Sequence, residues 1–263
     1  MEDADRRSRA AVDAHDPEQQ EGTPAAHAAA RLLEGEEVAV AGFLFDMDGT
    51  LVDSLPAVEE AWRLWCLEHG LPEPDSLVHG RTARDMVTGA GVPAHLVDQG
   101  VERLSEIESR PGQVLSLMSG TGALLAALPA ERWGVVTSAT RRVSDARLAA
   151  AGVVDPHFRV TGDDVERGKP DPEPFRLGTE ILHAGLAAAG VAQAPVPAPP
   201  IAVEDSPAGT RSAMGAGCLT IAVAPENLHH ELRGSAHIVL TSLEAVQVRV
   251  EDAELLIRLD PEA

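Results

Sequence analysis

From about residue 120 onward, short apolar runs alternate with stretches of helical spacing, and this alternation limits the fold more than any other feature. RWGVVT near 132–137, FRVT near 158–161, IAV at 201–203, LTIAV at 219–223 and HIVL at 237–240 have strand length. Helical patterns lie between them, near 121–128, 141–151, 173–189 and 207–216. Runs that are apolar throughout belong in sheets covered on both faces. Their alternation with helices predicts a doubly wound, Rossmann-like parallel α/β sheet. An earlier run, VAVAGFLF at 38–45, is expected to be a buried strand of the same sheet.

The segment between that run and the alternating region reads differently. Ser54 to about His69 has helical spacing, with Val58, Trp62 and Trp65 along one side, and Gly70-Leu71-Pro72 stops it. Further helical stretches follow near 81–89 and 93–109. The expected organisation is therefore an α/β core of residues 38–54 plus 118–245, interrupted by an inserted helical cap domain over 55–117. Residues 1–37 carry ten acids and four arginines and are expected to be a disordered tail, with Ala25–Leu33 a loose helix at most. Residues 246–263 are expected to be a charged, amphipathic C-terminal tail. Four prolines within 195–200 read as a stiff connector.

Composition removes several classes of function. The 263 residues include 42 acids and 21 bases, a formal charge of −21, which argues against binding nucleic acid or an anionic membrane. Aromatic residues make up 3% and Tyr is absent, so stacking on bases is not expected. Cys66 and Cys218 lie far apart, which excludes a disulfide scaffold and a Cys-rich zinc module. The ten histidines show no zinc-ligand spacing. The first residues hold no apolar leader, and no apolar run is long enough to span a membrane. A cytoplasmic protein is expected, with no membrane, nucleic-acid or obligate protein partner.

In a doubly wound sheet, ligands bind beyond the carboxyl ends of the strands. Each expected strand end here carries chemistry: Asp46-Met47-Asp48-Gly49-Thr50, then Thr137-Ser138, then Gly168-Lys169-Pro170-Asp171, then Glu204-Asp205-Ser206-Pro207. Lys169 is the only lysine in the chain. Each piece has an ordinary structural reading as a turn, a helix cap or a helix start. Together they bring carboxylates, hydroxyls and one ammonium to a single rim. Packed carboxylates repel unless a hard cation sits among them, and Mg2+ takes oxygen ligands. Asp46, the Asp48 carbonyl and Asp205 can supply part of its shell. Thr137, Ser138 and Lys169 can hold a phosphate.

FLFDMDGTLVDS, VVTSAT, GKPDPEPF and VEDSPAG resemble the four motifs of the haloacid-dehalogenase superfamily, over about 38–243. VEDSPAG, GKPDPEP and the stretches 54–70 and 79–87 resemble in particular the bacterial sugar and hexitol phosphatases of its β-phosphoglucomutase-like branch. The resemblance implies a Mg2+-dependent phosphatase of small sugar or polyol phosphates. Asp46 would be the nucleophile. Asp48 would be general acid, then general base. Glu204 would stand at or beside the metal, and the helical insert would close over the substrate. His79, Arg81 and Arg84 are candidate substrate contacts on that insert, whereas Trp62 and Trp65 are expected to pack its helices together.

Three other readings are open. A phosphosugar mutase of this fold carries an additional His on the first cap helix, where this chain has Val58. A dehalogenase typically lacks the second aspartate, which Asp48 supplies here. A catalytically silent binding protein usually loses a motif residue, and none is lost.

Overall fold

The computed structural model of the chain describes residues 22–72, 81–110, 112, 114–153, 156–191 and 198–260. It begins with helix α1 (Pro24–Leu33), strand β1 (Val38–Val40), strand β2 (Phe43–Phe45) and strand β3 (Val52–Asp53). The helical insert follows: α2 (Leu55–His69), α3 (Ala83–Gly89) and α4 (Val97–Glu108), returning through β4 (Ser116–Leu117). The chain then alternates as α5 (Thr121–Ala127), β5 (Trp133–Val136), α6 (Arg141–Ala150), β6 (Arg159–Val160), α7 (Glu173–Ala188), β7 (Ile201–Glu204), α8 (Pro207–Gly215) and β8 (Leu219–Val223). Short α9 (His229–Leu232), β9 (Ile238–Leu240) and the pair β10 (Val246–Glu251) and β11 (Glu254–Leu259) complete it.

The main sheet has six parallel strands in the order β6-β5-β2-β7-β8-β9, as the alternation predicts. Its four inner strands β5, β2, β7 and β8 are buried on both faces, and successive residues serve opposite layers. Phe43, Phe45, Ile201 and Val203 belong to one apolar layer, and Leu44, Val136 and Ala202 to the other, under Phe175 and Leu182 of α7. The chain leaves β2 toward β5 on one side and reaches β7 on the other. The carboxyl end of β2 is thus the switch point of the sheet, where a ligand crevice opens.

The insert has an apolar centre of its own, built on Ala61, Trp62, Trp65, Val87, Leu104 and Ile107. Trp65 and Trp62 pack edge to face at 5.3 Å, and Trp65 Nε1 donates to the Gly100 carbonyl at 2.9 Å. The Gly70 turn that ends α2 has φ 64°, a conformation natural to glycine.

Four expectations change. The run 38–45 is two strands, not one. β1 pairs antiparallel with β11, while β2 enters the parallel sheet. Apolarity reports burial here, not unbroken pairing. The change of sheet falls at Ala41-Gly42, where Arg132 Nη1 donates to the Ala41 carbonyl and a Cβ on Gly42 would meet Arg132 O at 2.3 Å. Residues 24–33, expected within a disordered tail, form a capped helix. Thr23 Oγ1 accepts from Ala26 N, and Ala25, Ala28, Ala29 and Leu32 bury a stripe at helical spacing. The C-terminal segment is a hairpin instead of a tail. Leu255, Ile257 and Leu259 alternate inward, and the two-residue turn Asp252-Ala253 has positive φ at both positions. Finally, the insert is not free of strand. Val52 pairs with Leu117 and Asp53 with Ser116, so both connections to the core are tied together. Residues 1–21, His79 and residues 195–197 of the proline-rich stretch lie outside the described residues. No described helix is long and apolar enough to cross a membrane.

Candidate active site

At the end of β2 the chain keeps its parallel pairing for one more residue, with Asp46 N donating to the Val203 carbonyl at 2.9 Å. It then turns through Gly49, at φ 82°. A Cβ at Gly49 would come within 2.3 Å of Asp205 Oδ2, so this position admits only glycine. The turn delivers Thr50 Oγ1 to Asp205 Oδ1 at 3.2 Å. Across the switch point, Glu204 ends β7. Its Oε2 accepts from Asp205 N, Ser206 N and Ser206 Oγ at 3.0–3.1 Å, at the start of α8. Ser206 caps that helix through Gly209 N, with Pro207 in its first turn. The helix-start reading is correct for Ser206 and Pro207, while Asp205 belongs to the carboxylate group.

Lys169 lies inside the cluster, not on its rim. Its ammonium donates to Asp46 Oδ1 at 2.5 Å, Glu204 Oε1 at 2.6 Å and the Val136 carbonyl at 2.9 Å. Burial alone would lower the Lys169 pKa, but the two carboxylates outweigh it and hold the ammonium above its ordinary range. Asp46 is also buried. Loss of water raises its pKa first; Lys169 opposes, Glu204 and Asp48 add repulsion, and the result is pushed up to about 7. Burial, then repulsion from Glu204 and Asp46, raises Asp205 well above its ordinary value. Ligand oxygens of Asp46, Glu204 and Asp205 all lie within 4.8 Å of one another. Both Glu204 oxygens are engaged by protein donors, whereas Asp46 and Asp205 each have one oxygen in the described hydrogen bonds.

Asp48 stands apart from that cluster. Its Oδ1 accepts from Ser54 Oγ at 2.5 Å and its Oδ2 from Arg147 Nη1 at 2.6 Å. Arg147 Nη2 in turn reaches Glu108 Oε1 at 2.7 Å. Arg147 and Glu108 escaped the sequence reading. Arg147 is one of many arginines, and Glu108 sits in an ordinary charged helix. The available signal was position: Arg147 shares the buried stripe of α6 with Val143, Ser144 and Leu148, where a charge needs partners.

Thr137 follows β5, its N–H donating to the Val160 carbonyl and its Oγ1 accepting from Ala139 N at 3.1 Å. It does not cap α6, which begins at Arg141 after Thr140. A cavity opens above these groups, floored by Asp46, Asp48, Thr137 and Ser138. Leu55, Val58, Trp62, Arg81, Met86 and Leu104 of the insert roof it. Trp62 therefore packs in the insert, as expected, and also reaches the cavity. Arg84 does not line it; it pairs with Asp98 at 2.6 Å on the surface. No histidine lines the cavity among the described residues.

The fold is that of a crystal structure of CbbY from Rhodobacter sphaeroides with phosphate, at TM-score 0.59 and 22% identity over 78% of this chain and 95% of that one. Residues 43–223 match the family described as haloacid dehalogenase-like hydrolase. Hexitol phosphatase A of Escherichia coli (strain K12) is 39% identical over 79% of this chain and 93% of its own length. Glycerol-1-phosphate phosphohydrolase 2 of Saccharomyces cerevisiae is 30% identical over 80% and 86%. The fold is thus a doubly wound α/β core with a helical insert over an acid-rich switch point, and the relatives make it a hydrolase. The chain belongs to the haloacid dehalogenase-like hydrolase family.

Proposed function

We propose that this enzyme is a Mg2+-dependent phosphatase of small sugar or polyol phosphates that works through an aspartyl-phosphate on Asp46. One observation carries the reading. Asp46, in contact with the sole lysine, and Asp48, held separately by Ser54 and Arg147, share the floor of one roofed cavity. The nucleophile and the proton carrier thus occupy different electrostatic surroundings two residues apart. The named activities of the relatives support the substrate class.

In the first step an Asp46 oxygen attacks phosphorus, and the bond from phosphorus to the sugar oxygen breaks. Asp48 gives its proton to the departing alkoxide, a poor leaving group without one. In the second step Asp48 takes a proton from water, the water oxygen bonds to phosphorus, and the bond to Asp46 breaks. Inorganic phosphate leaves and Asp46 is a carboxylate again. Thr137 and Ser138 hold the phosphoryl oxygens, and Lys169, against Asp46, offsets their charge. The donor set suits a hard cation: three carboxylates face one ammonium, and burial first, then mutual repulsion, raises the pKa of Asp46 and of Asp205. Asp46, the Asp48 carbonyl and Asp205 would hold Mg2+, with Glu204 beside them, and the ion would screen the repulsion between carboxylate and phosphate.

Val58 on the cavity wall favours hydrolysis over mutase chemistry, because it cannot relay a proton. The test is phosphate release across a panel of sugar and polyol phosphates, with Mg2+ and with excess EDTA. Release that requires Mg2+ is expected. Full activity in EDTA contradicts the metal, and conversion of β-glucose 1-phosphate to glucose 6-phosphate with little phosphate release contradicts hydrolysis.

A further inference from the structure

The surfaces of α4 on the insert and α6 on the core meet along a polar seam. Glu102 pairs with Arg142 at 2.9 Å, Ser105 meets Thr140 at 3.2 Å, and Glu108 pairs with Arg147 at 2.7 Å. The three α4 residues stand three apart, on one side of the helix. Only the last pair is buried: the Arg147 side chain is 3% exposed and that of Glu108 9%. It is also the only one of the three that continues to the floor of the cavity, through Arg147 and Asp48.

We infer that Arg147 is the positioning residue for Asp48, and that Glu108, carried by the insert, clamps Arg147 so that Asp48 is set for proton transfer when the insert is seated. This rests on the reading of Asp48 as the general acid. A guanidinium donates hydrogen bonds and accepts none. Asp48 Oδ2, facing Arg147, is thereby kept as an acceptor, and Oδ1, facing the Ser54 hydroxyl, is the oxygen that exchanges a proton. The fork of Arg147 spans two carboxylates from different parts of the molecule, one Nη to each. Among the described residues its Nε is buried without a hydrogen-bond partner, so the two carboxylate contacts are the hydrogen bonds that orient it. Removal of Glu108 from the seam frees the guanidinium to turn, and Asp48 turns with it.

The leaving group reads this out. An alkyl phosphate such as glycerol 1-phosphate needs a protonated leaving oxygen, whereas p-nitrophenyl phosphate expels a stable anion. Both report through kcat/KM on transfer of the phosphoryl group to Asp46. In Asp48→Asn, kcat/KM is expected to fall roughly 100-fold or more for the alkyl ester and only about fivefold for the aryl ester, the range of general acid catalysis. Arg147→Lys keeps the charge but loses the planar fork that sends one Nη to each carboxylate, and Glu108→Gln keeps an acceptor; both are milder than truncations, which strand buried charge. Each is expected to lower the alkyl ester about tenfold and the aryl ester less than about threefold. An equal loss on both esters, or no loss on either, overturns the positioning role while a selective Asp48→Asn leaves the general acid standing. If Asp48→Asn itself is unselective, the general-acid reading falls and this inference with it.

Discussion

The floor and the roof of the cavity are built by different rules. On and beneath the floor, Asp46, Thr137 and Asp205 sit at or just after strand ends and Lys169 in the loop that follows β6, each in a short stretch whose neighbours serve the same purpose. Gly49 makes room for Asp205, Gly209 makes room for Glu204, and Ser206 starts the helix that holds Glu204. The roof draws scattered side chains from α2, α3, α4 and the chain just before α3, whose neighbours do other things: Trp62 reaches the cavity and Trp65 does not, Arg81 does and Arg84 does not. Reaction chemistry is therefore written locally, and the fit to the rest of the substrate is written by packing. Substitutions that divide floor from roof should divide the step of reaction from the step of binding.

The sharpest break is expected at Asp46. Asp46→Asn keeps the shape of the side chain but removes the nucleophile. Turnover should fall at least about 1000-fold, while thermal melting stays within a few degrees of the parent, because the lost pair with Lys169 is offset by relief of repulsion from Glu204. Residual phosphate release above about one per cent of the parent rate would take the nucleophile's role from Asp46.

Lys169→Ala comes next. The ammonium touches Asp46 and Glu204 and is placed to neutralise a transferring phosphoryl group. A loss of about 30- to 1000-fold in kcat/KM is expected, the equivalent of about 2–4 kcal/mol. Melting should drop as well, since the change leaves three carboxylates packed without their cation. Loss under about threefold would make Lys169 a structural residue that the carboxylates happen to surround.

The same division explains what could be read without coordinates. The six-stranded sheet was legible because most of its strands are short, largely apolar runs flanked by helical spacing. The floor was legible because its residues fall at strand ends. The packing of helix α1, expected to be loose at most, was not, since alanine carries little apolar weight and its stripe emerges only once α1 packs on the core. The break in 38–45 was hidden because both halves are buried, in different sheets. Arg147 and Glu108 were hidden because their meaning lies in a meeting 39 residues apart in sequence.

Helix α1, firmer than expected, gives a third contrast, stability without chemistry. Leu32 is 1% exposed and anchors α1 on the core layer beneath the sheet. Leu32→Ala should cost about 2 kcal/mol, the low end for a buried leucine because its helix is otherwise alanine and can settle inward. Urea titration should register that cost while kcat and KM stay within about twofold. Unchanged stability would mean that α1 lies loosely on the core after all.

The smallest effect separates two arginines three residues apart. Arg81 lines the cavity beneath the roof, and Arg84 pairs outside with Asp98, their side chains 62% and 84% exposed. The chain carries a formal charge of −21, so a phosphate ester approaches against a repulsive field, and a cation at the cavity wall counts for more than its single charge suggests. Arg81→Ala should raise KM about three- to tenfold with kcat nearly unchanged, and the rise should shrink as salt screens the field. Arg84→Ala removes an exposed pair worth about 0–1 kcal/mol, and both constants should stay within about twofold. The comparison needs both variants, because either alone could be read as a general loss of positive charge. If Arg84→Ala raises KM as much as Arg81→Ala does, attraction depends on total charge and not on position, and the roof does not select the substrate through Arg81.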